Sequence, residues 1–201
     1  YSEEGAIVGN RNILDFDDPL AAGDYSDYDF IGNFIGGRHN KFTNSNNVNI
    51  IGVGNTGFAL NQHGGLNNSS VVGANNIISG DLVGVNTAFI GGADNQITGD
   101  STTINNSTAL GKSNTVSKSN STAIGVNSLA SRFGEISLSN GRFSENGDSQ
   151  TSIFVSRCLT TNDVETEVFL DNSSERITVA NDSAIAFETL IVATQSSSSN
   201  S

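Results

Sequence analysis

The sequence predicts an all-β protein: a parallel β-roll or β-solenoid shaft shared by three identical chains, followed by a small antiparallel, sandwich-like β-domain. Three observations carry that expectation. A short phrase of two apolar residues, a glycine, an asparagine about three or four residues on and another apolar residue keeps returning between Ile7 and Leu129. The chain holds 22 glycines against one proline, with 35% hydrophobic residues, which suits a thin, elongated body better than a thick core. Past Arg132 the phrase gives way to alternation of apolar and polar residues.

The copies read Ile7-Val8-Gly9…Asn12-Ile13, Phe34-Ile35-Gly36…Asn40…Phe42, Ile50-Ile51-Gly52…Asn55 and Val71-Val72-Gly73…Asn76-Ile77. They continue as Phe89-Ile90-Gly91…Asn95…Ile97, Ala109-Leu110-Gly111…Asn114…Val116 and Ala123-Ile124-Gly125…Asn127…Leu129. From Gly36 the lead glycines are 16, 21, 18, 20 and 14 residues apart, too short for a helix-pair repeat and right for one coil of a β-solenoid. Successive side chains of a strand point to opposite faces, so each doublet puts an apolar group on both sides. One coil encloses only one side. Identical chains packed around a common axis, as a homotrimer, would cover the other through the second residue of each doublet. Glycine at the corner permits positive φ, and asparagine can pair amides up the stack. At a strand spacing of roughly 4.8 Å the coils would make a roll about 30 Å long.

The first interval is irregular, and Leu14 to Asp29 reads as an inserted acidic loop, at about 14–29. The shaft is thus expected over 1–131, the β-domain over 132–195 and a Ser-rich tail or linker over 196–201. In the β-domain Ile153 and Val155, then Val164, Thr166, Val168 and Leu170, then Ile185, Phe187, Thr189 and Ile191 supply three alternating sets. Asn140-Gly141, Asn146-Gly147-Asp148, Thr161-Asn162-Asp163 and Asp171-Asn172-Ser173-Ser174 supply the turns. With a start at Tyr1 and an end in serines, a fragment of something longer is an expectation.

The net charge is -12, and the nine Lys and Arg residues are dispersed, which argues against nucleic acid as a partner. No run approaches the roughly 20 apolar residues of a membrane span, so membrane insertion is not expected. The lone Cys158 permits no intrachain disulfide, and its apolar neighbours point to a buried thiol.

No catalytic, cofactor-binding or metal-binding residues are expected. Gly52-Val53-Gly54-Asn55-Thr56-Gly57 has the letters of a dinucleotide-binding loop, but no helix-forming segment follows and the phrase is one copy of the repeat. Asp15, Asp17, Asp18, Asp24, Asp27 and Asp29, with Tyr25, Tyr28 and Phe30, form either a solvated loop or a Ca²⁺- or sugar-binding loop; their spacing is not that of an EF-hand. His39 and His63 have no ligand or triad partner at a fixed spacing and read as surface or corner residues.

The two most regular copies are Asn106-Ser107-Thr108-Ala109-Leu110-Gly111-Lys112-Ser113 and Asn120-Ser121-Thr122-Ala123-Ile124-Gly125-Val126-Asn127. This phrase resembles the Asn-Ser-x-Ala-x-Gly head repeat of trimeric autotransporter adhesins, which implies a left-handed parallel β-roll in a homotrimer. The Phe34 to Phe42 and Phe89 to Ile97 copies resemble repeats of bacteriophage tail fibres. Gly147 to Ser152, Thr160-Thr161-Asn162, Glu167 to Asp171 and Ala186 to Ala193 are similar to phrases in phage tail-fibre and virion proteins, those of marine cyanophages especially. The resemblance implies a virion structural protein acting in host attachment and not an enzyme. Its partners would be its own copies, other virion tail proteins and a host-surface glycan or protein receptor. One rival is the head of a trimeric bacterial adhesin, extracellular on a cell surface. The other is a tailspike-like polysaccharide depolymerase, which needs two carboxylates across a sugar groove, Asp17 and Asp27 being the residues to change.

Overall fold

The structure is a computed structural model that describes residues 6–15, 33–43, 45–59, 66–80, 85–99, 104–160, 164–179 and 183–193. It is all-β, with no helix among the described residues. Strands β1 (Ala6–Asn10) and β2 (Ile13–Asp15) begin the first coil, β3 (Phe34–Arg38) and β4 (Lys41–Thr43) the second. The third has β5 (Ser45–Asn46), β6 (Asn49–Val53) and β7 (Thr56–Ala59); the fourth has β8 (Leu66–Asn67), β9 (Ser70–Ala74) and β10 (Ile77–Gly80). Then come β11 (Val85–Ala93) with β12 (Gln96–Gly99), β13 (Ile104–Lys112) with β14 (Thr115–Val116), and β15 (Thr122–Val126) with β16 (Leu129–Ala130). Strand β17 (Ile136–Asn140) adds one further rung, and β18 (Gln150–Ile153) follows.

The chain alternates between two sheets, and each strand pairs in parallel with its equivalent in the next coil. One sheet runs β1-β3-β6-β9-β11-β13-β15-β17-β18 and the other β16-β14-β12-β10-β7-β4-β2. Only β17 with β18 is antiparallel among these pairs. Side chains facing inward form columns: Ile35, Ile50, Val71, Ile90, Ala109 and Ala123 on the first sheet, and Phe42, Ile78, Ile97, Val116 and Ala130 on the second, all fully buried. The columns narrow from isoleucine and phenylalanine to alanine toward the C-terminal end of the stack. Where β11 and β13 begin early, Val85 and Ile104 join Leu66 as an extra buried column that the short coils lack.

Register settles which glycine each coil uses. Gly9, Gly37, Gly52, Gly73, Gly92, Gly111 and Gly125 lie in line, all with positive φ. Gly36 and Gly91, taken from the sequence as lead glycines, instead pair with Ile51 and Leu110. A Cβ on Gly73 would sit 1.8 Å from the carbonyl oxygen of Gly92, backbone that cannot move aside. The left-handed corner residues come two positions later: Arg11, His39, Gly54, Asn75, Asp94, Ser113 and Asn127. Positive φ therefore occurs at both places, but only the first demands glycine by contact.

Immediately after each of the first six corners comes an asparagine, half-buried at Asn12 and buried from Asn40 on. Asn12, Asn40, Asn55, Asn76, Asn95 and Asn114 form a ladder with steps of 28, 15, 21, 19 and 19 residues, and a 14-residue step reaches Ser128. Each Oδ1 accepts from the backbone N–H of the next rung and, up to Asn114, from its Nδ2; Asn76 N and Nδ2 lie 3.1 and 3.0 Å from Asn55 Oδ1. Each Nδ2 also donates to a glycine carbonyl one coil on, as Asn76 does to Gly92 at 3.0 Å. The ladder satisfies backbone groups that the corner takes out of the sheets.

Of the antiparallel β-domain expected over 132–195, one chain contains the β17–β18 pair, and no described residue after Ile153 belongs to a strand. Alternation identifies a segment that suits a strand but not the neighbour it pairs with. The same reason corrects the expectation for Cys158, which is exposed in the single chain because its segment packs against no second sheet.

Candidate assembly surface and end cap

The outward face of the first sheet is apolar. Val8, Phe34, Ile51, Val72 and Phe89 stand on successive rungs, each at least 38% exposed, and Leu110 and Ile124 continue the line half-buried. Ile136, Leu138 and Ile153 extend it at the C-terminal end. Strand parity explains the pattern, with one refinement of the expected one. In Ile50-Ile51 and Val71-Val72 the first residue is buried and the second faces out, as expected. In the Phe-Ile-Gly-Gly copies the extra glycine shifts the frame, so Ile35 and Ile90 are buried while Phe34 and Phe89 face out.

The C-terminal end of the stack is closed by side chains. Gln150 Oε1 accepts from Leu129 N at 2.9 Å while its Nε2 donates to Leu129 O at 2.8 Å, so one carboxamide stands where the next strand of the second sheet would be. Glu135, fully buried, ends a column in which Ser107 and Ser121 precede it. Its Oε2 accepts from the amides of Ser131 (2.8 Å) and Arg132 (3.0 Å), and its Oε1 from Ser152 Oγ (2.6 Å) and Gln150 Nε2 (3.3 Å). Four donors satisfy the acceptor oxygens of this buried side chain. In the adjoining loop Asp148 accepts from the amides of Phe143, Ser144 and Glu145, and those backbone bonds hold its carboxyl below its ordinary pKa. Beneath this loop runs an open groove bordered by Ile124, Leu138, Arg142, Phe143 and Asp148. Neither cap nor groove was visible in the letters: Gln150 and Glu135 act across chain separations that no repeat marks.

No family model, curated protein or solved structure matches the chain. Function has to be read from surface and geometry.

The glycine-rich Gly52 to Gly57 phrase falls in β6 and β7, where Gly52 belongs to the close-contact column. Gly57 lies under the ring of Phe42, which a Cβ would meet at 2.2 Å. Those glycines serve coil contact, and among the described residues no helix follows them. His39 is an exposed left-handed corner residue on the rung after Arg11. Asp15 closes β2; Asp17, Asp18, Asp24, Asp27, Asp29, Tyr25, Tyr28, Phe30 and His63 lie outside the described residues. Among the described residues no three His, Cys, Asp or Glu side chains converge as a metal site would require. No helix among them is long and apolar enough to cross a membrane.

Proposed function

We propose that the chain is a structural protein of a phage tail or fibre: a left-handed parallel β-roll in which three copies pack their first sheets around a common axis. The observation that carries this reading is the apolar outward face, continuous over the rungs of a sheet whose inner face is already fully packed. On that face Val8, Phe34, Ile51, Val72 and Phe89 stand 38–58% exposed in the single chain, and it is these apolar side chains that call for a partner.

The buried ladders support a mechanical role. Up to the β15–β16 rung each rung is tied to the next by sheet bonds, by the asparagine amide and by glycine contact, giving a stiff rod with chemically monotonous flanks. Three equivalent weak contacts at the end of such a rod would attach it to a host surface by avidity, without a deep pocket. The test is solution mass by light scattering, followed by adsorption competition with the purified protein. A species near three times 20.9 kDa that blocks host adsorption is expected. A well-behaved monomer would overturn the assembly, and a trimer that fails to compete at saturating dose would remove the attachment role.

A further inference from the structure

The C-terminal arm, 154–193, has the alternating chemistry of β-structure, yet none of its described residues belongs to a strand. Every described residue from 183 to 193 is exposed. Leu190, Ile191 and Val192 are adjacent and 80–90% exposed, so a strand made from them would need cover on both faces. By contrast 164–179 is pinned to the end of its own stack. Arg132 Nη2 donates to Thr178 O at 2.7 Å, the guanidinium carbon of Arg132 lies 6.0 Å from the centre of the Phe154 ring, and Phe133 N donates to Glu175 Oε1 at 2.8 Å. The segment reverses at a turn whose amides at Ser173, Ser174 and Glu175 donate to Asp171 Oδ1, and Leu170 N closes it on Glu175 O at 2.8 Å. Across the reversal Arg176 pairs with Glu167 and covers the Phe169 ring at 4.8 Å.

We propose that the arms complete their β-domain between copies, the 183–193 segment of one chain adding as a strand to the pinned 164–179 reversal of another. This rests on the trimeric reading above. The occupant is a second copy of this chain because each chain carries both halves of the pairing. Exchange among identical copies satisfies an open reversal and an unpaired strand at once, whereas a partner of different sequence would satisfy only one. Position agrees. The arm leaves β18, whose Ile153 pairs with Ile136 at the end of the apolar outward face, so copies packed through that face bring their arms to one place. Pattern agrees too: Ile185, Phe187 and Ile191 fall on one side of a strand, as Ile177 and Val179 do on the reversal. Such exchange would fix rung register between chains, which a column of similar apolar side chains specifies poorly.

The test uses the full chain with a photoreactive phenylalanine analogue in place of Phe187, a position 86% exposed in one chain. Mass is measured by light scattering before irradiation, and hydrogen exchange is followed by mass spectrometry. Adducts joining two chains through 164–179, with amides of 183–193 protected about 100-fold or more, are expected. Leu190→Asp with Ile191→Asp should abolish both, while rung amides near Ile90 stay protected. A trimer whose arm amides exchange freely, or whose adducts are all within one chain, would overturn the exchange and leave the trimeric reading standing. A monomer would remove both.

Discussion

At the scale of single residues the stack is governed by close backbone approach and by amide pairing. Gly73→Ala places a methyl 1.8 Å from the Gly92 oxygen at a φ of 131°. It is expected to cost more than about 3 kcal/mol, strain and overpacking together. Gly134→Ala is the control: φ is also positive, at 69°, but nothing lies within 4 Å, so only the left-handed cost of about 1–2 kcal/mol applies. Denaturant midpoints of the two variants measure the difference. Asn76 tests the ladder. Removing its amide takes a donor from Gly92 O and the acceptor from Asn95 N, while Asn95 Nδ2 keeps Gly111 O, a loss of about 2–4 kcal/mol. Asn76→Asp keeps the shape yet sets an oxygen against Asn55 Oδ1 and Gly92 O, and should unfold more readily than Asn76→Ala. Six of the seven asparagines of the phrase were legible as a ladder from their recurrence, but Asn127 is a left-handed corner residue and Ser128 takes the ladder position in that coil. The contact glycines were less so. In Gly36-Gly37 and Gly91-Gly92 the letters offer two candidates, and only pairing across coils selects the second.

At the scale of elements, what was readable was whatever repeats. Strand positions and the inward or outward parity of Val71 and Val72 follow from the doublets, whereas the ends of the stack do not. The rung made by β17 lacks the glycine phrase, having Ser139 where its neighbours have glycine, and its backbone oxygen still receives Gly125 at contact distance. Gln150 closes the second sheet by imitating a peptide group, so Gln150→Ala should expose the Leu129–Ala130 edge. Faster exchange of amides there, with those near Ile78 unchanged, is the expected result. The Asp171 turn gives a pH prediction. Backbone N–H groups of Glu175 and Ser174 stabilise its carboxylate and hold its pKa at about 2, below the ordinary 3.8. A group lowered on folding contributes fully above its unfolded value and loses that contribution as pH falls through the folded one. The Ser174 and Glu175 amide resonances should therefore stay native-like at pH 4 and shift only as pH approaches 2.

At the scale of the whole molecule, two neighbours on one strand separate folding from assembly. Ile90 is fully buried and Phe89 is 41% exposed on the opposite side of β11. Ile90→Asp puts an unpaired charge in the core and should unfold the rungs. Phe89→Asp, alone or with Val72→Asp, changes the single chain by only about 0.5 kcal/mol, as an exposed substitution does, but sets charge into the proposed axis. The expected outcome is an unchanged β-sheet circular dichroism spectrum with the mass falling from three chains to one. A trimer that survives both aspartates would place the interface on another face. Ionic strength tests the same surface without mutation. Each copy carries a net charge of -12, so association works against mutual repulsion while its attraction is apolar. Salt shortens the range of that repulsion to about 8 Å at 0.15 M and leaves apolar burial intact. The trimer should accordingly tighten as salt rises. Weakening with salt would mean that the copies are joined by ion pairs, for which this sheet face provides no charges on the rungs carrying Ile51, Val72 and Phe89.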